Sequence, residues 1–398
     1  MKILIATFTF PPNKDGISEA ASVGVQAFLK RGWTVDIATE PTKPARSSDI
    51  WHRAKVHEFC IVGSSYFRRP YRGQILEYQA FLRSGSWDVI IFHGYSWPLY
   101  LSLPFLDALP ARKILVSHGY SALVWTPTPR FPFGLLFYAA GVVQSLRMLR
   151  WLRVMDRLVF LSWRKNFRAF YDHWIASRIR HPGIKIIPNG TNVQNPLLEE
   201  GFFRRKWGIR ADGVLFLSIA NYSLRKDQGF AAKAFRLAAI PNSFLVFIGS
   251  ELNEAAARFI RADAKLAGHN APGKVIWLEK VSREETLGAL AESDVFVLSA
   301  NFEGQPIVLL EAMAFRRPWV ARKAGCIEDL KGGVCVRNPK AMAEAMRRLA
   351  VDPDLRKKLG QEGLIAFNSY YQRKQYETNF CELIEDTVNE ANQKKSRS

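Results

Sequence analysis

The stretch Asn301-Phe302-Glu303-Gly304-Gln305-Pro306-Ile307-Val308-Leu309-Leu310-Glu311-Ala312-Met313-Ala314 decides the reading of this chain. Just upstream, Val295-Phe296-Val297-Leu298 is a short apolar run, the pattern of a strand buried on both faces of a parallel sheet. Pro306 suits the first turn of a helix, where its missing N–H costs nothing. Glu303 is therefore expected in the loop at the carboxyl end of a strand, and Glu311 about two turns into the next helix. In open α/β sheets ligands bind outside the carboxyl ends of the strands. Gly304 lets backbone approach a ligand, Gln305 lies in the same loop, and the first-turn amides of Ile307 and Val308 are free to meet an anion.

Outward from this stretch, strand and helix patterns alternate along most of the chain, which predicts an α/β protein with parallel sheets covered by helices. Lys2–Thr7, Thr34–Ala38, Val89–Phe92, Lys113–Ser117, Arg157–Leu161 and Lys185–Ile187 read as strands of a first half. Val214–Ala220, Phe244–Gly249, Lys274–Leu278 and Val295–Ser299 read as strands of a second. Polar sequence with Pro196 separates them, so the domains are expected at 1–195 and 196–368. The tail, 369–398, has Tyr376, Phe380, Leu383, Ile384 and Val388 at helical spacing.

A length of 398 residues exceeds one ordinary core, and 48% hydrophobic content excludes disordered and fibrous classes. The four cysteines, Cys60, Cys326, Cys335 and Cys381, show no C-x-x-C pairing, which fits a reducing compartment and neither a zinc site nor a disulfide framework. Ile3 to Phe10 ends in Pro11-Pro12 without a small-residue cleavage site and reads as a strand, not a leader peptide. Asp352-Pro353-Asp354 reads as a helix cap, and no metal site is expected. No G-x-G-x-x-G follows the first strand, which counts against a dinucleotide oxidoreductase.

The formal charge of +20 points to an anionic partner, nucleic acid or membrane. Between residues 130 and 180 there are ten Lys or Arg against two Asp, interleaved with eleven aromatics. Arg147, Arg150, Arg153 and Arg157 recur every three or four residues and are expected to form one basic stripe on a helix. Leu146, Leu149, Trp151 and Leu152 fall on neighbouring faces. Phe133 to Val143 is apolar but too short to span a bilayer. Together these features describe a helix lying in an anionic membrane interface, and nucleic acid is not the expected partner. The alternative is a basic face on an ordinary core helix.

The stretch around Glu303 and Glu311 resembles the E-x7-E signature of retaining glycosyltransferases of the GT-B fold, family 4 (glycosyl transferases group 1) type. The resemblance extends over almost the whole chain, most specifically at that signature. It implies two Rossmann-like domains facing a central cleft, an amino-terminal acceptor domain, a carboxyl-terminal nucleotide-sugar domain, and a final helix returning to the first. Phe10-Pro11-Pro12-Asn13-Lys14-Asp15-Gly16 is similar to the family's Pro-Pro then Gly-Gly loop, with Asp15 in place of the first glycine, and Gly16 at a helix start is expected to face a phosphate. By the same resemblance Glu303 meets the donor sugar and reacting face, and Glu311 the ribose hydroxyls. Lys226 meets the diphosphate. The family's arginine position holds Asn221, which is no bidentate phosphate clamp, and Arg225 is the candidate to compensate. His118, at a strand end before Gly119, matches the cleft histidine that contacts the donor sugar. His93 is expected on the acceptor side, and His173 and His269 at the surface.

The resulting expectation is a metal-independent, retaining glycosyltransferase without cofactor. It would use a UDP- or GDP-sugar donor and a hydroxyl acceptor, a lipid-linked glycan in cell-surface polysaccharide or glycolipid synthesis. It would be cytoplasmic and peripheral at the inner face of the cell membrane. The competing readings are a GT-B enzyme with a soluble acceptor, a sugar-nucleotide epimerase, and an inert GT-B-like protein binding membrane or nucleic acid.

Overall fold

A computed structural model of the chain describes residues 1–13, 15–43, 45–46, 48–64, 69–120, 143, 146–164, 170–267 and 271–397. The chain divides into two units, Met1–Gly190 with Arg373–Ser398, and Thr191–Gln372.

In the first unit the central strands of the sheet, such as Lys2–Thr7 and Val89–His93, are apolar at successive positions, so both faces demand cover. Its order is Ile184–Ile186, Arg157–Phe160, Arg112–Ser117, Val89–His93, Lys2–Thr7, Thr34–Thr39, Ala54–Glu58 and Ile50–Trp51. All pairs are parallel except the last. The period-two alternation of side chains sorts them into two cores. Leu4, Ala6, Ile90, Phe92, Leu115, Leu158 and Phe160 face one way, and Ile3, Ile5, Val89, Ile91, Ile114, Val116 and Val159 the other. The second face is covered by helix Gly16–Lys30 and by helix Arg373–Arg397, whose Tyr376, Phe380, Leu383 and Ile384 are buried there, with Val388 partly buried beside them. Phe380 meets Phe28 at 5.4 Å between ring centroids. The ion pairs Lys30–Glu377 and Arg31–Glu385 flank this contact at 3.0 and 2.8 Å. Met148 and Leu152, from a helix over 146–154, join the first face.

The second unit carries a six-stranded, wholly parallel sheet in the order Gly273–Glu279, Ser243–Gly249, Val214–Ile219, Val295–Leu298, Trp319–Arg322 and Gly333–Val336. The chain order reverses between Val214–Ile219 and Val295–Leu298, and in the first unit between Lys2–Thr7 and Val89–His93. Those reversals are the switch points at which doubly wound sheets open a crevice. Among the described residues no helix is long and apolar enough to cross a membrane.

Candidate active site

The crevice of the second unit is built from the loops that leave its two switch-point strands. After Val214–Ile219 the chain makes a turn in which the Lys226 amide donates to Ser223 O at 3.0 Å, and helix Gln228–Ala238 follows. After Val295–Leu298, Ser299 Oγ donates to Lys226 O at 3.0 Å and the Asn301 amide to Arg225 O at 2.8 Å, so the two loops are stitched together. This brings Lys226 against Glu303, 77 residues later, and Lys226 Nζ donates to Glu303 Oε1. Both side chains are mostly buried, at 18% and 10% exposure. A lysine held this way is a positive charge that a bound diphosphate can recruit only by competing with Glu303.

Helix Ile307–Ala314 starts with Pro306 as its cap, and its first-turn amides at Ile307 and Val308 have no acceptor within the helix. Both residues are half-buried, and Gln305 is buried. Glu311, two turns along, is buried, and Arg283 holds its carboxylate from the first position of helix Arg283–Glu292. Arg283 is a residue the sequence reading missed. It lies 28 positions before Glu311 and no local pattern links the two. Gly325 was missed as well. Its φ is +52°, and a Cβ there would lie 2.0 Å from Glu303 O and 2.4 Å from Gly304 O. The Cys326 amide donates to Gly304 O at 3.1 Å, so Gly325-Cys326 is a brace under the Glu303 loop. Asn221 and Arg225 are exposed. Arg225 offers backbone to Asn301, and its side chain makes no ion pair among the described residues.

In the first unit, His93 and His118 end neighbouring strands and stack with ring centroids 5.4 Å apart. Their Nδ1 and Nε2 atoms are 3.2 Å apart. Burial pushes the His118 imidazole down to about 4, with Asp15 acting weakly the other way, and burial lowers His93 too. Both rings are neutral at pH 7. His93 Nε2 is buried with no partner among the described residues. A bare lone pair costs less there than an unpaired N–H, which assigns the proton of the shared bond to His93 Nδ1. His118 then keeps its own N–H on Nδ1 as a neutral donor. Beneath the pair, Asp172 is fully buried, and burial pushes its carboxyl up to about 6 against the donors Ser117 Oγ, Tyr95 OH and the His173 amide.

Several expectations need correction. His93 is wholly buried and cannot line an acceptor surface; it acts on His118. The helix start at Gly16 is already filled, because the Asp15 carboxylate accepts the Ile17 and Ser18 amides at 3.0 Å and places a negative charge where a phosphate was expected. Arg157 is not on the basic helix, which ends by residue 154; it opens strand Arg157–Phe160 and pairs with Glu390 at 2.6 Å. Arg147, Arg150 and Arg153 are exposed as expected for a stripe, but Leu152 is core and Leu149 and Trp151 pack on it, leaving Leu146 as the exposed apolar member. His173 is buried and stacks on Phe160 at 4.2 Å. Residues 121–142, including most of the apolar Phe133–Val143 segment, and His269 lie outside the described residues. Asp352 Oδ1 accepts the Leu355 amide at 2.8 Å and caps helix Pro353–Tyr370.

Comparison with known proteins bears on this architecture. Residues 199–364 match the family model of glycosyl transferases group 1. Over 193 residues the chain is 25% identical to the alpha-1,3/1,6-mannosyltransferase ALG2 of Dictyostelium discoideum, covering 44% of this chain and 46% of that one. Over 207 residues it is 29% identical to the putative glycosyltransferase EpsD of Bacillus subtilis (strain 168), covering 48% and 52%. The chain thus spans about half the length of the curated relatives it matches. Among solved structures, sucrose-phosphate synthase from Thermosynechococcus elongatus superposes with a TM-score of 0.74 at 17% identity, over 97% of this chain and 98% of that one. Anabaena HepE in complex with UDP and glucose does so with 0.71 at 14% identity, over 97% and 100%. The protein has the GT-B fold of these glycosyltransferases. The family match lies within the second unit.

Proposed function

We propose that this chain is a glycosyltransferase that moves a sugar from a nucleoside diphosphate to a hydroxyl acceptor, with retention of configuration and without a metal. The observation that carries the proposal is the convergence of Lys226, Glu303 and Glu311 at the switch point of the unit that matches the family model. A buried carboxylate pair suits two diols, since each carboxylate accepts from adjacent hydroxyls. Glu311 takes the ribose, and Glu303 the donor sugar, where it also stabilises positive charge developing at the anomeric carbon. Lys226 and the amides of Ile307 and Val308 take the diphosphate, with Gly304 and Gln305 shaping the loop. In the transfer the bond from the anomeric carbon to the diphosphate oxygen breaks. The acceptor oxygen bonds to the same face, and its proton leaves on the departing phosphate. His118, neutral, gives the first unit a hydrogen-bond donor at the carboxyl end of its sheet.

HepE is described with UDP-glucose, which favours testing UDP-sugars first. For the acceptor we favour a lipid-linked glycan presented at the cytoplasmic face of a membrane, because Arg147, Arg150 and Arg153 are exposed on one helix beside the exposed Leu146. A thermal-shift screen against UDP- and GDP-sugars tests the reading. Stabilisation by at least one nucleotide sugar, and release of nucleotide with a suitable acceptor, is expected. Indifference to every nucleotide sugar would favour the inert binding protein.

A further inference from the structure

The turn that carries His118 is tied to a single buried carboxylate. Asp172 is the second residue of helix Tyr171–Arg178 and is wholly buried. Its Oδ2 accepts from Ser117 Oγ and from Tyr95 OH, the latter at 2.9 Å, and its Oδ1 accepts the His173 amide at 2.9 Å. The two side-chain donors come from the two histidine loops. Ser117 ends strand Arg112–Ser117 and precedes His118, and Tyr95 lies two residues after His93, the end of strand Val89–His93. Ser117 Oγ also accepts the Gly119 amide at 3.2 Å. The residues on either side of His118 therefore close on one hydroxyl, whose own proton is spent on Asp172. A second tie runs beside it: the Tyr171 amide donates to Tyr120 O at 3.0 Å, and the Tyr95 and Tyr120 rings meet at 4.6 Å between centroids.

Stability alone does not account for a carboxylate in this place. Burial pushes Asp172 up to about 6 against all of its donors, and no cation pairs with it among the described residues. The groups that face it are Ser117, Tyr95 and the His173 amide, with Tyr120 beyond Tyr95. The His173 ring turns away, to Phe160 and Arg164 O. A charge buried without a counterion costs stability. What the carboxylate supplies is direction, since its two oxygens hold donors from three elements at once. His118 is half-buried, and its ring lies 24° from the plane of His93. The turn from Ser117 to Tyr120 sets that angle.

We propose that Asp172 is a positioning residue, which acts through Ser117 to set the His118 ring against His93 and so fixes the direction of the His118 Nδ1–H. A buried acceptor that orders a neighbouring donor keeps a site in register from outside it. The proposal rests on the glycosyltransferase reading only for the use to which that N–H is put; the network itself belongs to the free protein. It also has a consequence with pH. Both Asp172 oxygens already accept, so a proton added to either finds no acceptor and one donor must turn away. The histidine pair therefore responds to acid before His118 itself takes a proton.

Histidine ring signals followed by NMR in the full chain, with His118 assigned through His118→Gln, test this. In the wild type His118 should hold one tautomer, Nδ1–H. Its signals should step at about pH 6, where Asp172 titrates, well above its own titration at about 4. Asp172→Asn and Ser117→Ala should abolish the step and let both tautomers appear, and Tyr95→Phe should move His93 more than His118. His57, which pairs with Asp36 at 3.1 Å elsewhere in the unit, should match the wild type in all three and separates local from global effects. If Asp172→Asn does not fold, Ser117→Ala, which removes one hydroxyl, decides. Wild-type His118 signals in folded Ser117→Ala, or a wild type without the step, would overturn the proposal. Nucleotide release from the donor that the thermal-shift screen selects adds a functional arm. Ser117→Ala should lower kcat/KM by roughly 10- to 100-fold with His118 present, and by less than about twofold in the His118→Gln background. Equal losses in the two backgrounds would overturn a role through His118. Turnover unchanged by His118→Gln, with the NMR step present, would fault the functional reading and uphold the positioning.

Discussion

Lys226 and Glu303 neutralise each other in a mostly buried pair, so removing either leaves the other charge without a counterion. Lys226→Ala is expected to destabilise the second unit by roughly 1–3 kcal/mol, and the double variant Lys226→Ala, Glu303→Gln by less, because no bare charge remains. Urea unfolding of the four-member cycle checks this; additive losses would mean the pair carries no coupling. In the first unit two buried groups oppose each other with pH. Asp172, raised from the ordinary 3.8 to about 6, stays protonated in the fold while the unfolded chain ionises, so its contribution to stability falls as pH rises from about 4 to 6. His118, lowered from 6.5 to about 4, refuses a proton that the unfolded chain takes, so its contribution falls as pH drops from about 6.5 to 4. Asp172→Asn removes the first effect, on the order of 3 kcal/mol. Its urea midpoint should therefore fall more steeply than the wild type's between pH 6 and 4, and parallel curves would contradict the assignment.

Among the elements, the Gly325-Cys326 brace fixes the height of the Glu303 loop. Gly325→Ala combines a left-handed φ with a methyl at 2.0 Å from Glu303 O, so the loop must move. A stability loss of roughly 1–3 kcal/mol is expected, with nucleotide-sugar affinity falling more than affinity for the nucleoside. Equal affinities to wild type would show that the brace is slack. The central strands were legible because they are buried on both faces and apolar without interruption, as in Val89-Ile90-Ile91-Phe92. Their ends in the structure differ from those expected by only a residue or two. Ala54–Glu58 and Ile50–Trp51 were missed because they lie at the sheet edge, where Lys55 and His57 interrupt the apolar run. Trp319–Arg322 and Gly333–Val336 were missed because four residues with a Gly or Arg give no periodicity. The carboxylates of the site were legible because their spacing is local. Arg283 and Gly325 were not, because their partners come from other loops. Arg157 was misread because spacing of three and four continued past the helix end, where Met155 enters the core and turns the chain into a strand.

At the scale of the whole molecule, two doubly wound sheets each put their polar residues at the carboxyl end of a switch point, and the last helix packs on the first sheet. If the diphosphate is neutralised by Lys226, backbone amides and a helix terminus, transfer activity should persist in excess EDTA within about twofold. Complete loss, restored by magnesium or manganese, would contradict a metal-independent mechanism. On the proposed function, a nucleoside diphosphate sugar binds in the crevice of the second unit with its ribose on Glu311. Calorimetric titration of wild type and Glu311→Gln with the best donor from the UDP- and GDP-sugar screen tests it most directly. The expected result is a single site in the wild type and a loss of about 1.5–3 kcal/mol, roughly 10- to 150-fold in Kd, in the variant, which should still unfold in one cooperative transition. Equal affinity in the two proteins, or no binding of any nucleotide sugar, would contradict it.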